Sequence, residues 1–181
     1  SITIDVLAND DDIDHDDDAS SLMVVSATSA SNALITGLNV AGGPLGYDPA
    51  STSAFEYLAA GETATDTITY TIKDSHGETS TSEVSVTITG TNDVQTDYVD
   101  MAGTNEDSGV TFGVLGNDTD TDTTDVLSVT TAHVPSGKDG SVSVNPETNE
   151  ITFTPGSSYN ALAAGETASV DVTYTISDDN G

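Results

Sequence analysis

Two loops concentrate the carboxylates of this chain. The first runs Asn9-Asp-Asp-Asp-Ile-Asp-His-Asp-Asp-Asp18, and the second runs Asn117-Asp-Thr-Asp-Thr-Asp-Thr-Thr-Asp125. Alternate carboxylates in an irregular loop can turn inward around one hard cation, because Ca²⁺ takes roughly six to eight oxygen ligands at about 2.3 to 2.6 Å. Both loops lack the glycine and the terminal glutamate of an EF-hand, so the pattern predicts a different kind of calcium site.

The overall charge agrees with cation binding. The chain has 31 Asp and Glu residues against two Lys and Arg, which gives a formal net charge of -29. Such a surface repels phosphates and anionic lipid headgroups, so we expect neither nucleic acid nor membrane insertion. The alternative is the solvating acidic surface of a halophilic protein, whose acids would also cover the exposed faces of strands.

The sequence has no cysteine, so disulfides and thiolate metal sites are excluded as supports of the fold. A small domain without disulfides commonly relies on a metal instead. We find no long apolar run and no charged-then-apolar leader, and therefore expect any export signal to lie outside these residues.

The chain contains two copies of one unit. Leu58-Ala-Ala-Gly-Glu-Thr-Ala64 recurs as Leu162-Ala-Ala-Gly-Glu-Thr-Ala168, and Thr69-Tyr-Thr-Ile72 recurs as Thr173-Tyr-Thr-Ile176. A fixed repeat of this kind indicates tandem domains of one type. We therefore predict a first domain over residues 1–91 and a second over residues 92–181, each of them cadherin-like or immunoglobulin-like.

Alternating apolar and polar residues predict strands throughout the second copy. The predicted strands are A near 95–102, B at 110–115, C at 126–134, D at 141–145, E at 151–154 and F at 170–176. The first copy supplies a last strand, in which Val84, Val86 and Ile88 alternate with polar residues. The predicted fold class is all-β, with two tandem immunoglobulin/cadherin-like β-sandwiches of about seven strands each. A jelly roll or a small barrel is the alternative.

The two copies differ in which strands they contain. The first has no counterpart of strand A, and the second has no counterpart of the strand around Val86. We expect the absent strands to be present in a longer protein or to be donated by a neighbouring chain.

Strand direction sorts the acids by position. In a seven-strand sandwich the B–C and F–G loops share the end at which the chain enters, and the E–F connection lies at the other end. Asp118, Asp120 and Asp122, with the turn Asp178-Asp-Asn180, therefore belong to the first end of copy two. Glu62 belongs to the far end of copy one, and Gly90-Thr-Asn-Asp93 joins the copies. We predict that these acidic elements converge at the junction.

Several motifs resemble a known family. They are Leu58-Ala-Ala-Gly-Glu-Thr, Thr69-Tyr-Thr-Ile-Lys-Asp, Thr87-Ile-Thr-Gly-Thr-Asn-Asp93 and Val114-Leu-Gly-Asn-Asp-Thr-Asp120. Together they are similar to the VCBS-type and cadherin-like tandem repeats of large bacterial RTX adhesins. The resemblance implies calcium-rigidified extender repeats on the bacterial cell surface, exported by type I secretion, that support adhesion or biofilm formation. It implies as partners the neighbouring repeats of the same polypeptide and a ligand on a host or biofilm surface.

The resemblance to cadherins also implies a set of calcium ligands at the junction. By that resemblance the ligands are Glu62, Asn92, Asp93, Asp118, Asp120 and Asp178, and we add Asp122 as a further acid of the same loop. The equivalent acids of copy one would serve a preceding domain in the same way. These are Asp10, Asp12, Asp14 and Asp74.

Residues typical of an enzyme are few. The three histidines are His15 in the acidic loop, His76 in a turn and His133 near a strand end, and we interpret them as surface residues. We therefore predict that the chain is not an enzyme. The alternative function is a calcium-dependent carbohydrate-binding adhesin module, for which Tyr47 is the candidate aromatic platform.

Overall fold

A computed structural model describes residues 1–14 and 17–180 of the chain, and its regular structure is almost entirely antiparallel strands. The chain divides into two compact units, Ser1–Thr91 and Asn92–Gly181, which we call unit 1 and unit 2. Each unit is a pair of small sheets packed face to face around an apolar core.

Unit 1 contains six strands within residues 1–14 and 17–91. They are β1 (Ile2–Ile4), β2 (Met23–Ser29), β3 (Leu34–Thr36), β4 (Leu45–Asp48), β5 (Thr63–Lys73) and β6 (Thr79–Thr89). One sheet has the order β1-β4-β3 and the other the order β2-β5-β6. These sheets correspond to the B-E-D and C-F-G strands of an immunoglobulin sandwich.

The long strand β5 organises the core of unit 1. Asp66, Ile68 and Tyr70 alternate along it and are all buried, because every second residue of a strand faces the same side. Two adjoining core clusters result, one around Leu7, Val24, Leu45 and Tyr70, the other formed by Ala33, Tyr47, Ile68 and Val86. Each buried large apolar side chain contributes about 1.5–3 kcal/mol.

Unit 2 contains five strands among its described residues. They are β7 (Val110–Gly113), β8 (Ser128–His133), β9 (Gly140–Asn145), β10 (Glu150–Pro155) and β11 (Thr173–Ser177). The sheets are β7-β10-β9 and β11-β8. Their buried core consists of Val114, Val129, Ile151 and Ile176.

The prediction of two immunoglobulin-like β-sandwiches is confirmed, and most predicted strands lie within a few residues of the observed ones. The predicted strand at 95–102 is wrong. In that segment Thr96 forms an isolated bridge with Thr119, while Val99 and Met101 are 86% and 94% exposed. The N–H of Tyr98 bonds to the carboxylate of Asp118 rather than to a neighbouring strand, so side-chain contacts replace a regular ladder there.

The strand predicted at 170–176 begins only at Thr173. In unit 1 the equivalent residues belong to the first half of β5, where residues 63–67 have β6 as their strand partner. Unit 2 has no counterpart of β6 among its described residues, and residues 168–172 have no strand partner among them.

Candidate metal centres

The acidic loop of unit 2 is anchored at both ends by the sandwich. Val114 is fully buried just after β7, and the loop re-enters the sheet at β8. Between these anchors lie Asp118, Asp120, Asp122 and Asp125. The turn after β11 places Asp178 beside them, since one carboxylate oxygen from each of Asp120, Asp125 and Asp178 lies within 4.8 Å of the other two.

One oxygen of each loop carboxylate accepts a hydrogen bond from a backbone N–H or a side-chain amide. Asp118 accepts the N–H of Tyr98 at 2.8 Å, and Asp120 accepts the N–H of Asp122 at 2.9 Å. Asp122 in turn accepts the N–H of Asp93 at 2.8 Å through Oδ2. Asp125 accepts the side-chain amide of Asn180 at 2.6 Å. These bonds fix the direction in which each carboxylate points.

The second oxygen of each of these four carboxylates is buried without a hydrogen-bond partner among the described residues. These atoms are Oδ2 of Asp118, Asp120 and Asp125, and Oδ1 of Asp122. Asp122 is the most enclosed, at 1% exposure. An ionised oxygen removed from water without a partner is strongly unfavourable. A cation in their midst would satisfy all four, and hard oxygen donors are the ligands that Ca²⁺ prefers.

Electrostatics in this cluster are repulsive. Burial raises the pKa of the Asp125 carboxyl, and the nearby charges of Asp179, Asp122 and Asp178 raise it further, while the hydrogen bond from Asn180 opposes them. Like charges held this close favour either a bound proton or a bound cation. At neutral pH a divalent cation is the stronger neutralising partner.

The segment at the start of unit 2 is attached to this cluster. The side-chain amide of Asn92 donates to Asp178 at 3.1 Å, and that of Gln95 donates to the carbonyl of Ile176 at 3.0 Å. Thr96 and Thr119 exchange two backbone hydrogen bonds, of 2.7 and 3.0 Å. The predicted residues Asn92 and Asp93 therefore lie beside the predicted Asp122 and Asp178, within one unit.

Unit 1 carries a second carboxylate cluster in the equivalent place. Oxygens of Asp12, Asp17 and Asp74 lie within 4.8 Å of one another, and Asp14, Asp17 and His76 form an overlapping group. Oδ2 of Asp10 is buried without a hydrogen-bond partner among the described residues. Three of the four acids predicted for copy one, Asp12, Asp14 and Asp74, thus lie close to Asp17, which is itself buried.

Two carboxylates shape the unit 1 site. Asp74 accepts three successive backbone N–H groups, those of His76, Gly77 and Glu78, and so closes the turn between β5 and β6. Asp17 accepts hydrogen bonds from Ser21, Ser75 and His76, and these bonds, that of Ser21 first, hold its pKa below the ordinary value. Asp17 is therefore ionised at neutral pH, which is the form in which a carboxylate binds a cation.

His76 is part of this site rather than an incidental surface residue. Its Nδ1 lies 3.0 Å from Oδ2 of Asp17 and 3.9 Å from Oδ2 of Asp14. The hydroxyl of Ser75 lies 3.3 Å from the same nitrogen. Because Asp17 and Ser75 meet one ring nitrogen, the imidazole cannot relay a proton between them as a catalytic triad does. His15 lies outside the described residues, and His133 ends β8 on the surface.

Asp17 and Asp125 are the functional candidates that the ligand set from the sequence omits. Both occupy the same place in the two acidic loops, eight residues after Asn9 and Asn117 respectively. A position-by-position comparison of the two loops would have found them. The loops share aspartates at one, three and five residues after the asparagine, and the only other aspartate they share is the one eight residues after it.

Glu62 belongs to none of the carboxylate clusters found among residues 1–14 and 17–180. Its side chain accepts the N–H of Ala59 at 3.2 Å, and Glu166 in unit 2 accepts that of Ala163 at 2.8 Å. Each glutamate closes the turn of its own Leu-Ala-Ala-Gly-Glu motif. The repeated motif is thus accounted for by local structure.

The prediction that Tyr47 is an exposed aromatic platform for sugars is wrong. It is 1% exposed, and its hydroxyl donates to Asp66 at 2.7 Å inside unit 1. Ser29 and Ser31 donate to the same carboxylate. Burial raises the pKa of Tyr47 to about 12, and the hydrogen bond to Asp66 adds to this effect.

Tandem immunoglobulin-like sandwiches define a protein built from repeated domains of one type. A family model described as a bacterial Ig domain matches residues 1–87 and again residues 92–181. The chain therefore belongs to the bacterial Ig domain family, with one domain in each unit. Comparison with curated proteins and with solved structures gives no match. Among the described residues, no helix has the length and apolar character needed to cross a membrane.

Proposed function

We propose that this chain is a pair of calcium-binding extender modules from a bacterial cell-surface adhesin. The observation that supports it best is the set of four buried carboxylate oxygens without partners in unit 2. Enclosing such atoms lowers the stability of a domain unless a bound cation supplies the partner that they lack. The bacterial Ig family supports the extender role, since its domains are structural modules.

The proposed ion in unit 2 is held by Asp118, Asp120, Asp122, Asp125 and Asp178. In unit 1 the corresponding ligands are Asp10, Asp12, Asp17 and Asp74, with Asp14 and His76 at the edge of the site. Asn92 and Asp93 contribute by tying the first residues of unit 2 to its ligands. The ligand role of Glu62 rests on the resemblance to cadherins alone.

Calcium acts in this proposal by linkage to folding. An ion that binds the folded unit alone stabilises it by about 2.7 kcal/mol at a free concentration 100 times its Kd. Because residues 92–98 bond directly to the ligand-bearing side chains, the ion also immobilises the segment that follows unit 1. Without the ion, the gathered negative charges repel one another and that segment loosens.

The adhesin setting rests on the sequence motifs. Their resemblance to VCBS-type and RTX repeats supports type I secretion, a place on the cell surface, and a role in adhesion or biofilm formation. Neighbouring repeats of the same polypeptide are the partners proposed for the chain ends, and a host or biofilm ligand is the partner proposed for the whole array.

Calorimetric titration with calcium, with magnesium as control, tests this proposal. We expect saturable calcium binding at both units, an unfolding temperature raised on the order of 10 °C in each, and weaker effects of magnesium. Small-angle scattering in calcium should show a longer and narrower distribution of distances than in chelator. Equal unfolding temperatures in calcium and in chelator would refute the proposal.

A further inference from the structure

The carboxylate clusters of the two units differ in the type of one donor atom. In unit 1, Asp14, Asp17 and His76 bring two carboxylates and one imidazole together, with one ligand atom from each within 4.8 Å of the other two. The group found in unit 2 consists of aspartates. Carboxylates suit hard cations such as Ca²⁺, whereas imidazole suits Zn²⁺ and other first-row transition metals. The two units therefore differ in the kind of cation that their loops can select.

The repeat assigns this difference to a single position. Unit 2 has Asn180 where unit 1 has His76, and Asp125 where unit 1 has Asp17. Nδ2 of Asn180 lies 2.6 Å from Oδ1 of Asp125, and Nδ1 of His76 lies 3.0 Å from Oδ2 of Asp17. The same contact thus forms in both units. An imidazole nitrogen can offer a lone pair to a metal, whereas the nitrogen of an amide only donates hydrogen bonds.

The backbone holds the three donors of unit 1 in place. His76 lies in the turn closed by Asp74, which accepts the N–H of His76 at 2.9 Å. The N–H of Asp17 bonds to the carbonyl of Asp14 at 3.1 Å, so both carboxylates belong to one turn. The hydroxyl of Ser75 donates to Oδ2 of Asp17 at 3.0 Å. Donors that are ordered in advance lower the entropic cost of binding an ion.

The spacing of these donors suits a small divalent ion. Zn²⁺ binds imidazole nitrogen and carboxylate oxygen at about 2.0 to 2.2 Å, so two tetrahedral ligands lie about 3.4 Å apart. Nδ1 of His76 lies 3.0 Å from Oδ2 of Asp17 and 3.9 Å from Oδ2 of Asp14. The side chains of His76 and Asp14 are half-exposed, whereas that of Asp17 is buried. An ion held by these three residues is accessible from solvent and keeps water among its ligands.

We propose that unit 1 carries a zinc site formed by Asp14, Asp17 and His76, beside its proposed calcium site. The two groups of ligands overlap at Asp17 alone, so the carboxylate of Asp17 bridges the two ions. The zinc ion joins the acidic loop to the turn after β5, as the bond between Asn180 and Asp125 joins the equivalent segments of unit 2. The inference rests on the proposed function only in that the two sites share Asp17.

Calorimetric titration with zinc in millimolar calcium tests the proposal. Calcium occupies the oxygen sites, so the heat of zinc binding reports the site that contains nitrogen. Because imidazole binds a metal in its neutral form, the titration is run at about pH 8. We expect one zinc ion per chain, a zinc-induced shift of the ring signals of His76 in NMR spectra, and a further rise in the unfolding temperature of unit 1.

Variants with matched controls assign the ligands. His76→Asn gives unit 1 the residue that unit 2 has, and we expect the zinc affinity to fall about tenfold or more. His133→Asn, at the end of β8, should leave the zinc affinity unchanged. Asp14→Asn should weaken zinc binding by a similar factor, whereas Asp11→Asn, at an exposed acid of the same loop, should not.

The possible results separate this site from the proposed calcium function. Absence of zinc binding, or an undiminished zinc affinity in His76→Asn, would overturn the zinc site and leave the calcium function standing. Zinc binding that depends on His76, together with no calcium binding at either unit, would refute the calcium function and support the zinc site.

Discussion

The N–H of Asp93 bonds to Oδ2 of Asp122 at 2.8 Å, while Oδ1 of the same carboxylate is buried without a partner among the described residues. One buried side chain therefore fixes the start of unit 2 and offers its other oxygen to a cation. A bound ion would orient the Asp122 carboxylate, and that carboxylate holds the backbone at Asp93. This relationship connects ion binding to order in the segment that follows unit 1.

Replacing Asp122 should reduce the stabilisation of unit 2 by calcium. Asp122→Asn keeps the size of the side chain but removes its charge. We expect the calcium-dependent rise in the unfolding temperature of unit 2 to fall by more than half, with no loss of stability in chelator because repulsion is relieved. Scanning calorimetry in calcium and in chelator measures both effects. The control is Asp107→Asn, at an exposed acid outside the cluster. An undiminished calcium-dependent rise in the unfolding temperature of Asp122→Asn would count against the site.

Asp17 should be essential to the ion of unit 1 and irrelevant to that of unit 2. Asp17→Asn removes the carboxylate shared by both overlapping groups of ligands. We expect calorimetric titration to lose the binding event of unit 1 and to keep that of unit 2. Asp11→Asn, at an exposed neighbour in the same loop, is the matched control. Retention of both binding events in Asp17→Asn would show that its role is structural only.

The buried hydrogen bond between Tyr47 and Asp66 predicts that unit 1 loses stability at alkaline pH. The pKa of Tyr47 is about 12 in the folded state and about 10 in the unfolded state. The contribution of Tyr47 to the free energy of unfolding is therefore intact below pH 10 and is lost as pH rises toward 12. Tyr47→Phe should cost about 1–2 kcal/mol at neutral pH and should flatten the decline between pH 10 and 12. Denaturant unfolding across this range measures it, with Tyr98→Phe as the control. An unchanged alkaline decline in Tyr47→Phe would be inconsistent with this assignment.

A side chain at position 90, even a methyl group, should destabilise unit 1. A Cβ at this position would collide with the carbonyl oxygens of Leu58 and Ala59, in the Leu-Ala-Ala-Gly-Glu turn that the strand end packs against. Because these are backbone atoms, relief requires movement of the turn, and we expect Gly90→Ala to destabilise unit 1 by about 1–3 kcal/mol. Gly116→Ala, which meets no atom within 4 Å, is the control. Equal stability of the two variants in thermal unfolding would contradict the packing described here.

Much of the fold follows from features visible in the sequence. The alternation at Val84, Val86 and Ile88 predicts β6, because a strand with one buried face has a period of two. The repeated Leu-Ala-Ala-Gly-Glu motif predicts two domains of one type. The segment at 95–102 was not predictable in this way, because its backbone bonds to loop side chains such as Asp118, and no periodic pattern reports such contacts.

The site was predictable in outline but not in detail. Asp120 and Asp178 are far apart in sequence, and the prediction that they meet followed from the strand order of a sandwich. The central position of Asp17 depends on hydrogen bonds from Ser21 and Ser75, which alternation of aspartates does not indicate. His76 joins the unit 1 site because the turn closed by Asp74 directs it toward the acidic loop.

Anomalous diffraction from crystals grown in calcium tests the central claim most directly. We predict an anomalous peak in unit 2 at about 2.3–2.6 Å from oxygens of Asp120, Asp125 and Asp178, with the inward oxygens of Asp118 and Asp122 completing the shell. The absence of any peak in unit 2 at millimolar calcium, with those oxygens bonded to water or protein groups instead, would contradict the account.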